Sequence, residues 1–128
     1  MNNLMKNKRG LVMGVANDKS IGWGIAKAIS DQGGELAFTY QGEALKKRVI
    51  PLADSVNSEI VLPCDVSNDE DIDNTFSELK KKWPKIDFLV HAIAFSDKDE
   101  LKGDYIDTSR KNFINTMDIS VYSFTAIA

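Results

Sequence analysis

A glycine-containing segment between two apolar stretches is the part of this sequence best suited to hold a ligand. It runs from Gly14 to Gly24 and reads GVANDKSIGWG. Gly14 and Ala16 can form a tight turn, and Ser20 can donate its hydroxyl to a phosphate oxygen. A strand before this segment and a helix after it would bring phosphate oxygens to backbone N–H groups and the positive end of a helix dipole. The segment differs from the plain G-x-G-x-x-G fingerprint. It predicts a dinucleotide pyrophosphate site, and the alternative is a glycine-rich connection without a ligand.

Two further polar positions follow short apolar runs. Gln41 follows LAFTY and could hydrogen-bond the hydroxyls of an adenosine. An acidic residue is usual there for NAD and a cation for NADP, so the absence of an adjacent cation favours NAD. Asp65 follows IVLPC, and its carboxylate could bond an adenine amino group while the Val66 N–H reaches a ring nitrogen. The alternatives are an ordinary loop residue at Gln41 and a helix-initiating role for Asp65.

A fourth apolar run, FLVHAIA, ends in small residues. Ala92, Ile93 and Ala94 would let a ribose come close to the backbone. His91 lies inside the run, where a lone histidine is expected to be a hydrogen-bonded core residue. Cys64 is interpreted as a packing residue because no basic partner for a nucleophilic thiol is identifiable.

These segments become one site if the chain alternates strands and helices. Continuous apolar runs predict strands, and apolar residues at helical spacing predict helices between them. Pro51 is expected to break or kink the second helix, and Ser67 to cap the third with Glu70 completing a capping box. Such alternation predicts the α/β class, with a Rossmann-type doubly wound parallel sheet whose ligands lie beyond the carboxyl ends of the strands. The predicted strands are 11–15, 36–40, 60–62 and 88–93, and the predicted helices are 20–32, 43–56, 67–83 and from 110 onward.

Composition excludes several other classes. The 128 residues are 43% hydrophobic and 27% charged with a net charge of −3, and no basic stripe indicates nucleic-acid binding. One histidine and one cysteine leave no zinc constellation, so no metal is expected. No window reaches the ~18 apolar residues that a membrane helix needs. A single cysteine fits a reducing compartment, and we expect a cytoplasmic protein.

The four strand ends together resemble the divergent branch of the short-chain dehydrogenase/reductase superfamily, and most closely its NADH-dependent enoyl-acyl carrier protein reductases. The resemblance spans essentially the whole chain, in order and spacing. The long interval from glycine to serine in the first segment, followed by Thr-Tyr-Gln, is fairly specific to these reductases. The residues that carry the resemblance are 14–24, 38–42, 64–66, 90–95, 103–105 and 118–124.

The resemblance implies reduction of the trans-2 double bond of an enoyl thioester on acyl carrier protein by NADH, the last reductive step of fatty-acid elongation. It assigns Gly14, Ser20 and Ile21 to the pyrophosphate, and Gln41, Asp65 and Val66 to the adenosine. Ala92, Ile93 and Ala94 would flank the riboses, and Phe95 and Ser96 would begin the wall of the acyl pocket. A homotetramer is also implied.

The family's catalytic pair, in the pattern Tyr-x6-Lys after a fifth strand, has no counterpart in these residues. Tyr40 and Lys47 have that spacing but lie in a different element, so we read the pair as coincidence. We therefore expect residues 1–128 to be the N-terminal part of one NAD-binding Rossmann domain, inactive without the rest. The alternatives are another divergent NAD(P)-dependent dehydrogenase or reductase and a non-catalytic nucleotide-binding Rossmann module.

Overall fold

Four parallel strands form the centre of the molecule. The computed structural model describes residues 3–128. The strands are paired in the order β3-β2-β1-β4, and every pair is parallel. This confirms the predicted α/β class and half of a doubly wound sheet. The strands are β1 (Arg9–Met13), β2 (Glu35–Tyr40), β3 (Val61–Pro63) and β4 (Phe88–His91).

Helices connect the strands and continue after the last one. Between α4 and α5 the chain forms a π-helical turn, Asp118–Tyr122, and a short 3₁₀ turn, Tyr105–Asp107, precedes α4. None of the helices in residues 3–128 is long and apolar enough to cross a membrane. The helices are α1 (Ile21–Asp31), α2 (Glu43–Ser55), α3 (Asp69–Lys82), α4 (Arg110–Met117) and α5 (Ser123–Ile127).

The two central strands, β1 and β2, are buried on both faces, as their continuous apolar sequences predict, whereas the outer strands β3 and β4 are partly exposed. Successive side chains of a strand point to opposite faces, and β1 shows this directly. Leu11 and Met13 pack with residues of α3 and α5, including Leu79, on one face. Val12 packs with Trp23 and other residues of α1 and α2 on the opposite face. Two layers of helix therefore hold the strands in place.

The register brings the carboxyl ends of the strands to one edge. Met13 of β1 lies opposite His91 of β4, and Tyr40 of β2 lies opposite Pro63 of β3. Residues that follow these positions must therefore gather at that edge. The sheet thus explains how segments far apart in the sequence can share a site.

The second helix differs from its prediction. Pro51 lies inside α2, which continues unbroken to Ser55. A proline removes one N–H from the helical ladder, and the carbonyl four residues earlier loses its partner. Pro51 is exposed whereas Val49 and Ala53 are fully buried, so the missing bond falls on the solvent side. Of the expected break or kink, the break does not occur, because the buried face anchors both halves of the helix.

The third helix also begins differently. Asn68, and not Ser67, caps α3, since its side chain accepts a hydrogen bond from the Asp71 N–H. Ser67 instead donates its hydroxyl and its N–H to the Asp65 carboxylate, at 2.6 and 3.0 Å. The predicted capping box with Glu70 was therefore wrong. An Asx-type turn at Asp65 shifts the start of the helix by one residue.

Candidate functional site: a cleft at the carboxyl edge of the sheet

The four strand ends surround one cavity of about 410 Å³. Nine of the twelve residues predicted for the site line it, so the structure brings the separate segments together. Ser20, Ile21 and Ser96 are the three that do not. The lining comprises Gly14, Val15, Ala16, Thr39, Tyr40, Gln41, Leu45, Cys64, Asp65, Val66, Ala92, Ile93, Ala94, Phe95 and Ile119.

The start of α1 offers hydrogen-bond donors beside this cavity. Ser20 adopts the extended conformation of a helix-capping residue, and its hydroxyl oxygen accepts from the N–H groups of Ala16 and Asn17, both at 3.0 Å. The hydroxyl proton stays available for an acceptor such as a phosphate oxygen. Among residues 3–128, the N–H groups of Ile21 and Gly22 have no acceptor. Free N–H groups at a helix N-terminus make an anion site.

Gly14 lies where the first strand ends and the turn begins. Its φ of 104° is a conformation that side-chain-bearing residues rarely adopt. A Cβ at this position would collide with the backbone of Ala92 and lie 3.1 Å from the Ile93 nitrogen. Glycine is therefore required by the neighbouring strand as well as by the turn. Sequence analysis predicted the turn but not the contact with the backbone of Ala92.

Gln41 is exposed at the end of β2, and among the described residues its side chain makes no hydrogen bond. It is therefore free to meet a ligand. The preceding residue, Tyr40, forms part of the cavity wall, and the ammonium of Lys46 lies 5.8 Å from the centre of its ring. This cation–π contact places the nearest lysine of α2 against an aromatic face. Lys47, seven residues after Tyr40, is an exposed residue of α2.

The end of β3 presents one acceptor and one donor. One carboxylate oxygen of Asp65 holds Ser67, whereas the other has no partner among the described residues. The N–H of Val66 is likewise unbonded there. Asp65 therefore takes part in the turn before α3, as its alternative reading held, and still has an oxygen for a ligand. An adenine offers the complementary pair, an amino group and a ring nitrogen.

Cys64 lines the cavity but lies almost fully buried. Burial raises the pKa of its thiol above the ordinary value of 9.0, and a hydrogen bond with Thr75 opposes this shift. The nearby carboxylates of Asp71 and Asp65 raise the pKa further. The thiol is therefore neutral at physiological pH, which agrees with its reading as a packing residue and not a nucleophile.

The end of β4 is tied to the π-helical turn. His91 Nε2 lies 2.7 Å from the hydroxyl of Ser123, which is fully buried and donates to the Ile119 carbonyl at 2.6 Å. Because the serine proton is used there, the His91 Nε2–H must be the donor in the other bond. The prediction of a hydrogen-bonded histidine is confirmed. This pair holds Ile119 against the cavity, a role that the sequence did not reveal.

Phe95 and Ser96 point in different directions. The backbone N–H and carbonyl of Phe95 both pair with the Ser120 hydroxyl, at 3.0 and 3.1 Å, and its ring is half exposed at the cavity rim. The Ser96 hydroxyl faces helix α4, where it contacts Asn112 at 3.2 Å and Thr116 at 3.0 Å. Of the two predicted wall residues, only Phe95 lines the cavity.

Six lining residues were not predicted for the site. Val15, Thr39 and Tyr40 belong to the strand ends that were already singled out, so their place could have been read from the same segments. Leu45 and Ile119 lie on helical elements with no polar signal. The remaining one, Cys64, was assigned to packing.

The groups that line the cavity suit the binding of a ligand. Its wall is mostly apolar, and its polar groups include the Tyr40 hydroxyl, the Cys64 thiol and the Asp65 carboxylate. Across residues 3–128 no cluster of histidine, cysteine, aspartate or glutamate could hold a metal ion. Backbone donors at one end and the Asp65–Val66 pair at another suit an extended ligand with a phosphate and a purine.

Comparison with known proteins identifies the family. Residues 14–128 match the family described as enoyl-(acyl carrier protein) reductase. An enoyl-[acyl-carrier-protein] reductase [NADH] of Rhizobium meliloti is 63% identical over 125 residues, which cover 98% of this chain and 46% of that protein. The chain thus spans about half the length of the curated relatives that it matches.

Solved structures agree with this match. The enoyl reductase FabI of Candidatus Liberibacter asiaticus superposes with a TM-score of 0.97 at 54% identity, over 99% of this chain and 49% of that one. The enoyl-(acyl-carrier-protein) reductase of Anaplasma phagocytophilum, solved in complex with NAD, gives a TM-score of 0.94 at 56% identity, over 99% and 49%. Together with the family match, these similarities establish that the chain belongs to the enoyl-acyl carrier protein reductase family.

Proposed function

We propose that residues 1–128 form the N-terminal, nucleotide-binding part of a single Rossmann domain in an NADH-dependent enoyl-acyl carrier protein reductase. The observation that carries this proposal is the cavity where four strand ends meet the free N–H groups of α1. A dinucleotide has the length and the chemistry to use all of them. The whole enzyme would reduce the trans-2 double bond of enoyl thioesters on acyl carrier protein.

The residues present fit the cofactor. Gly14, Ser20 and Ile21 would hold the pyrophosphate, with the Ser20 proton and the Ile21 N–H as donors to its oxygens. Ala16 completes the turn, and its N–H is already used by Ser20. Both donors stand at the positive end of the α1 dipole, which favours an anion.

The adenosine and ribose positions follow from the other strand ends. Gln41 would bond adenosine hydroxyls, and Asp65 and Val66 would pair with the adenine edge. Ala92, Ile93 and Ala94 would lie beside the riboses. NADH supplies the hydride when it is bound; these residues orient it and exclude water from the cleft. Phe95 would begin the wall on the substrate side, with Ser96 behind it.

The proposal includes a cytoplasmic location and a homotetrameric assembly. A neutral buried thiol as the sole cysteine is compatible with a reducing cytoplasm. The α4–α5 surface keeps Phe113, Met117 and Phe124 about half exposed. Apolar surface of this kind is typical of a subunit contact, which supports the proposed homotetramer.

The test uses the complete protein encoded by its gene. We expect it to bind NADH and to oxidise it only when a crotonyl thioester of acyl carrier protein is added. Asp65→Asn should weaken NADH binding by about tenfold, as expected for loss of a charge-assisted hydrogen bond of roughly 1.5 kcal/mol. Asp73→Asn, an exposed position of α3, is the matched control.

Three outcomes would contradict parts of this proposal. NADH binding without turnover of any enoyl thioester would point to a non-catalytic nucleotide-binding module. Turnover of a ketone in place of an enoyl thioester would point to another dehydrogenase. Unchanged NADH affinity in Asp65→Asn would remove Asp65 from the adenine site.

A further inference from the structure

One buried amide lies on helix α4, most of whose surface is exposed. Asn112 has only 8% of its surface accessible, although Phe113 and Ile114 beside it are 46% and 59% exposed. Its Oδ1 accepts the Asp97 N–H at 3.1 Å, and this donor fixes the orientation of the amide. With Oδ1 held in this way, the amide nitrogen points to the opposite side.

The amide nitrogen of Asn112 joins two distant points of the chain. It donates to the Ser96 hydroxyl at 3.2 Å and to the Thr108 hydroxyl at 3.1 Å. Ser96 and Thr108 lie near the two ends of the segment that leads from β4, which ends at His91, to α4, which begins at Arg110. Apart from the short 3₁₀ turn this segment has no regular structure, so few backbone bonds fix its course. The Asn112 side chain therefore joins both of these positions, while Thr116 also contacts Ser96 at 3.0 Å and Glu100 also accepts from Thr108 at 3.4 Å.

The clamped segment begins at the rim of the cleft. Phe95, which immediately precedes it, lines the cavity and is held by Ser120 through its own backbone. With the pyrophosphate at the end of β1 and the adenosine at β2 and β3, the other half of a dinucleotide must lie toward β4. A substrate that reacts with that half approaches over residues 94–96. The Asn112 clamp is thus placed on the substrate side and away from the adenosine side.

We propose that Asn112 is a positioning residue for the acyl substrate, which it serves by fixing the segment 96–108 so that the rim at Phe95 keeps one conformation. This inference rests on the proposed function. Its effect is selective, because none of the groups that Asn112 contacts lies on the strand ends that bind the nucleotide. Removing the amide leaves the Asp97 N–H without its main acceptor and removes one hydrogen bond each from Ser96 and Thr108, which are then held only by Thr116 and Glu100.

The experiment compares Asn112→Ala with Asn115→Ala in the complete protein. Both replace an α4 asparagine by a better helix former, but Asn115 is exposed and its side chain has no hydrogen bond among residues 3–128. For Asn112→Ala we expect KM for the crotonyl thioester to rise by about tenfold, since small misplacements of a binding wall are costly. The dissociation constant of NADH should change by less than about twofold, and Asn115→Ala should behave as wild type in both measurements.

A second variant and a second measurement test the same proposal if Asn112→Ala does not fold. Thr108→Val removes the bond from Asn112 and the longer bond to Glu100 with little change of shape. It should raise KM for the crotonyl thioester by a smaller factor than Asn112→Ala, and it serves as the test if Asn112→Ala does not fold. Amide hydrogen exchange should accelerate over residues 96–108 in Asn112→Ala and stay unchanged over residues 14–24. This second readout does not depend on activity.

Each result decides the matter. An unchanged KM in both clamp variants would overturn the inference, and so would a parallel loss of NADH affinity, which indicates general disruption. If the wild-type protein reduces no enoyl thioester, the proposed function fails. Exchange over residues 96–108 then still tests the clamp, and unchanged exchange would refute it.

Discussion

Replacement of Gly14 by alanine tests why glycine occupies the end of β1. Two contributions should lower the free energy of unfolding, one conformational and one steric. A positive φ of 104° costs a side-chain-bearing residue roughly 1–2 kcal/mol. The new Cβ would meet the backbone of Ala92, the residue directly after β4, which can yield only if the end of β4 moves. Overpacking of this kind costs about 1–3 kcal/mol, so the expected total is roughly 2–5 kcal/mol.

Two other glycines separate these costs. Gly42 has a φ of 84° but open space where its Cβ would lie, so Gly42→Ala should lose only the conformational part, about 1–2 kcal/mol. Gly24 lies in α1 with nothing within 4 Å of the Cβ position. Gly24→Ala should stabilise by about 0.5–1 kcal/mol.

The assay is urea unfolding of the complete protein for the three variants, with NADH titration by calorimetry. We expect the order Gly24→Ala, wild type, Gly42→Ala, Gly14→Ala from most to least stable. Gly14→Ala should also weaken the binding of NADH, since a shift of residue 14 displaces the turn that leads to Ser20. A Gly14→Ala protein no less stable than Gly42→Ala would refute the steric part of the reasoning.

Three further predictions concern Cys64 in the cleft, Glu100 in the segment before α4, and the choice between NADH and NADPH. Cys64 should react slowly with a thiol reagent at pH 8, because burial raises its pKa, and NADH should slow it further; equal rates in native and urea-unfolded protein would contradict this. Hydrogen bonds from the Ser109 N–H and hydroxyl, and from Thr108, lower the pKa of Glu100 below its ordinary value of 4.5. The ionised Glu100 carboxylate therefore stabilises the folded protein fully above pH 4.5, the ordinary pKa. This stabilisation is lost as the pH falls from 4.5 through the lowered pKa of the folded state. Glu100→Gln should flatten the stability difference between pH 6 and pH 4 in unfolding curves. Finally, kcat/KM should be higher with NADH than with NADPH, because no cation directly follows Gln41 and the Lys46 ammonium rests over Tyr40; a preference for NADPH would show that Lys46 leaves this position.

Local signals were sufficient for the strands and for most of the cleft. Apolar runs such as residues 11–15 must be buried on both faces, and only a parallel sheet between helices offers that. Small and polar residues directly after those runs then mark the carboxyl edge. Gln41, Asp65 and Ala92 were placed in one cavity by this reasoning, and they line it.

Helix boundaries were less predictable because they depend on competing local bonds. The Asp65 carboxylate takes the hydroxyl and N–H of Ser67, so the cap passes to Asn68. Pro51 stays inside α2 because burial of Val49 and Ala53 outweighs one lost hydrogen bond on the exposed side. Neither balance can be read from the residue types alone.

The sequence by itself determined the class of fold, the order of its elements and the chemistry available at each strand end. Hydrophobic periodicity and the positions of glycine and acidic residues are local properties, and they needed no knowledge of long-range contacts. Tertiary structure alone decided what the later helices contribute. The π-helical turn brings Ile119 to the cleft, and Asn112 reaches Ser96 and Thr108, which lie 16 and 4 residues away in sequence. The contact with Ser96 depends on how α4 packs against the segment that follows β4, and no spacing along the chain encodes that distance.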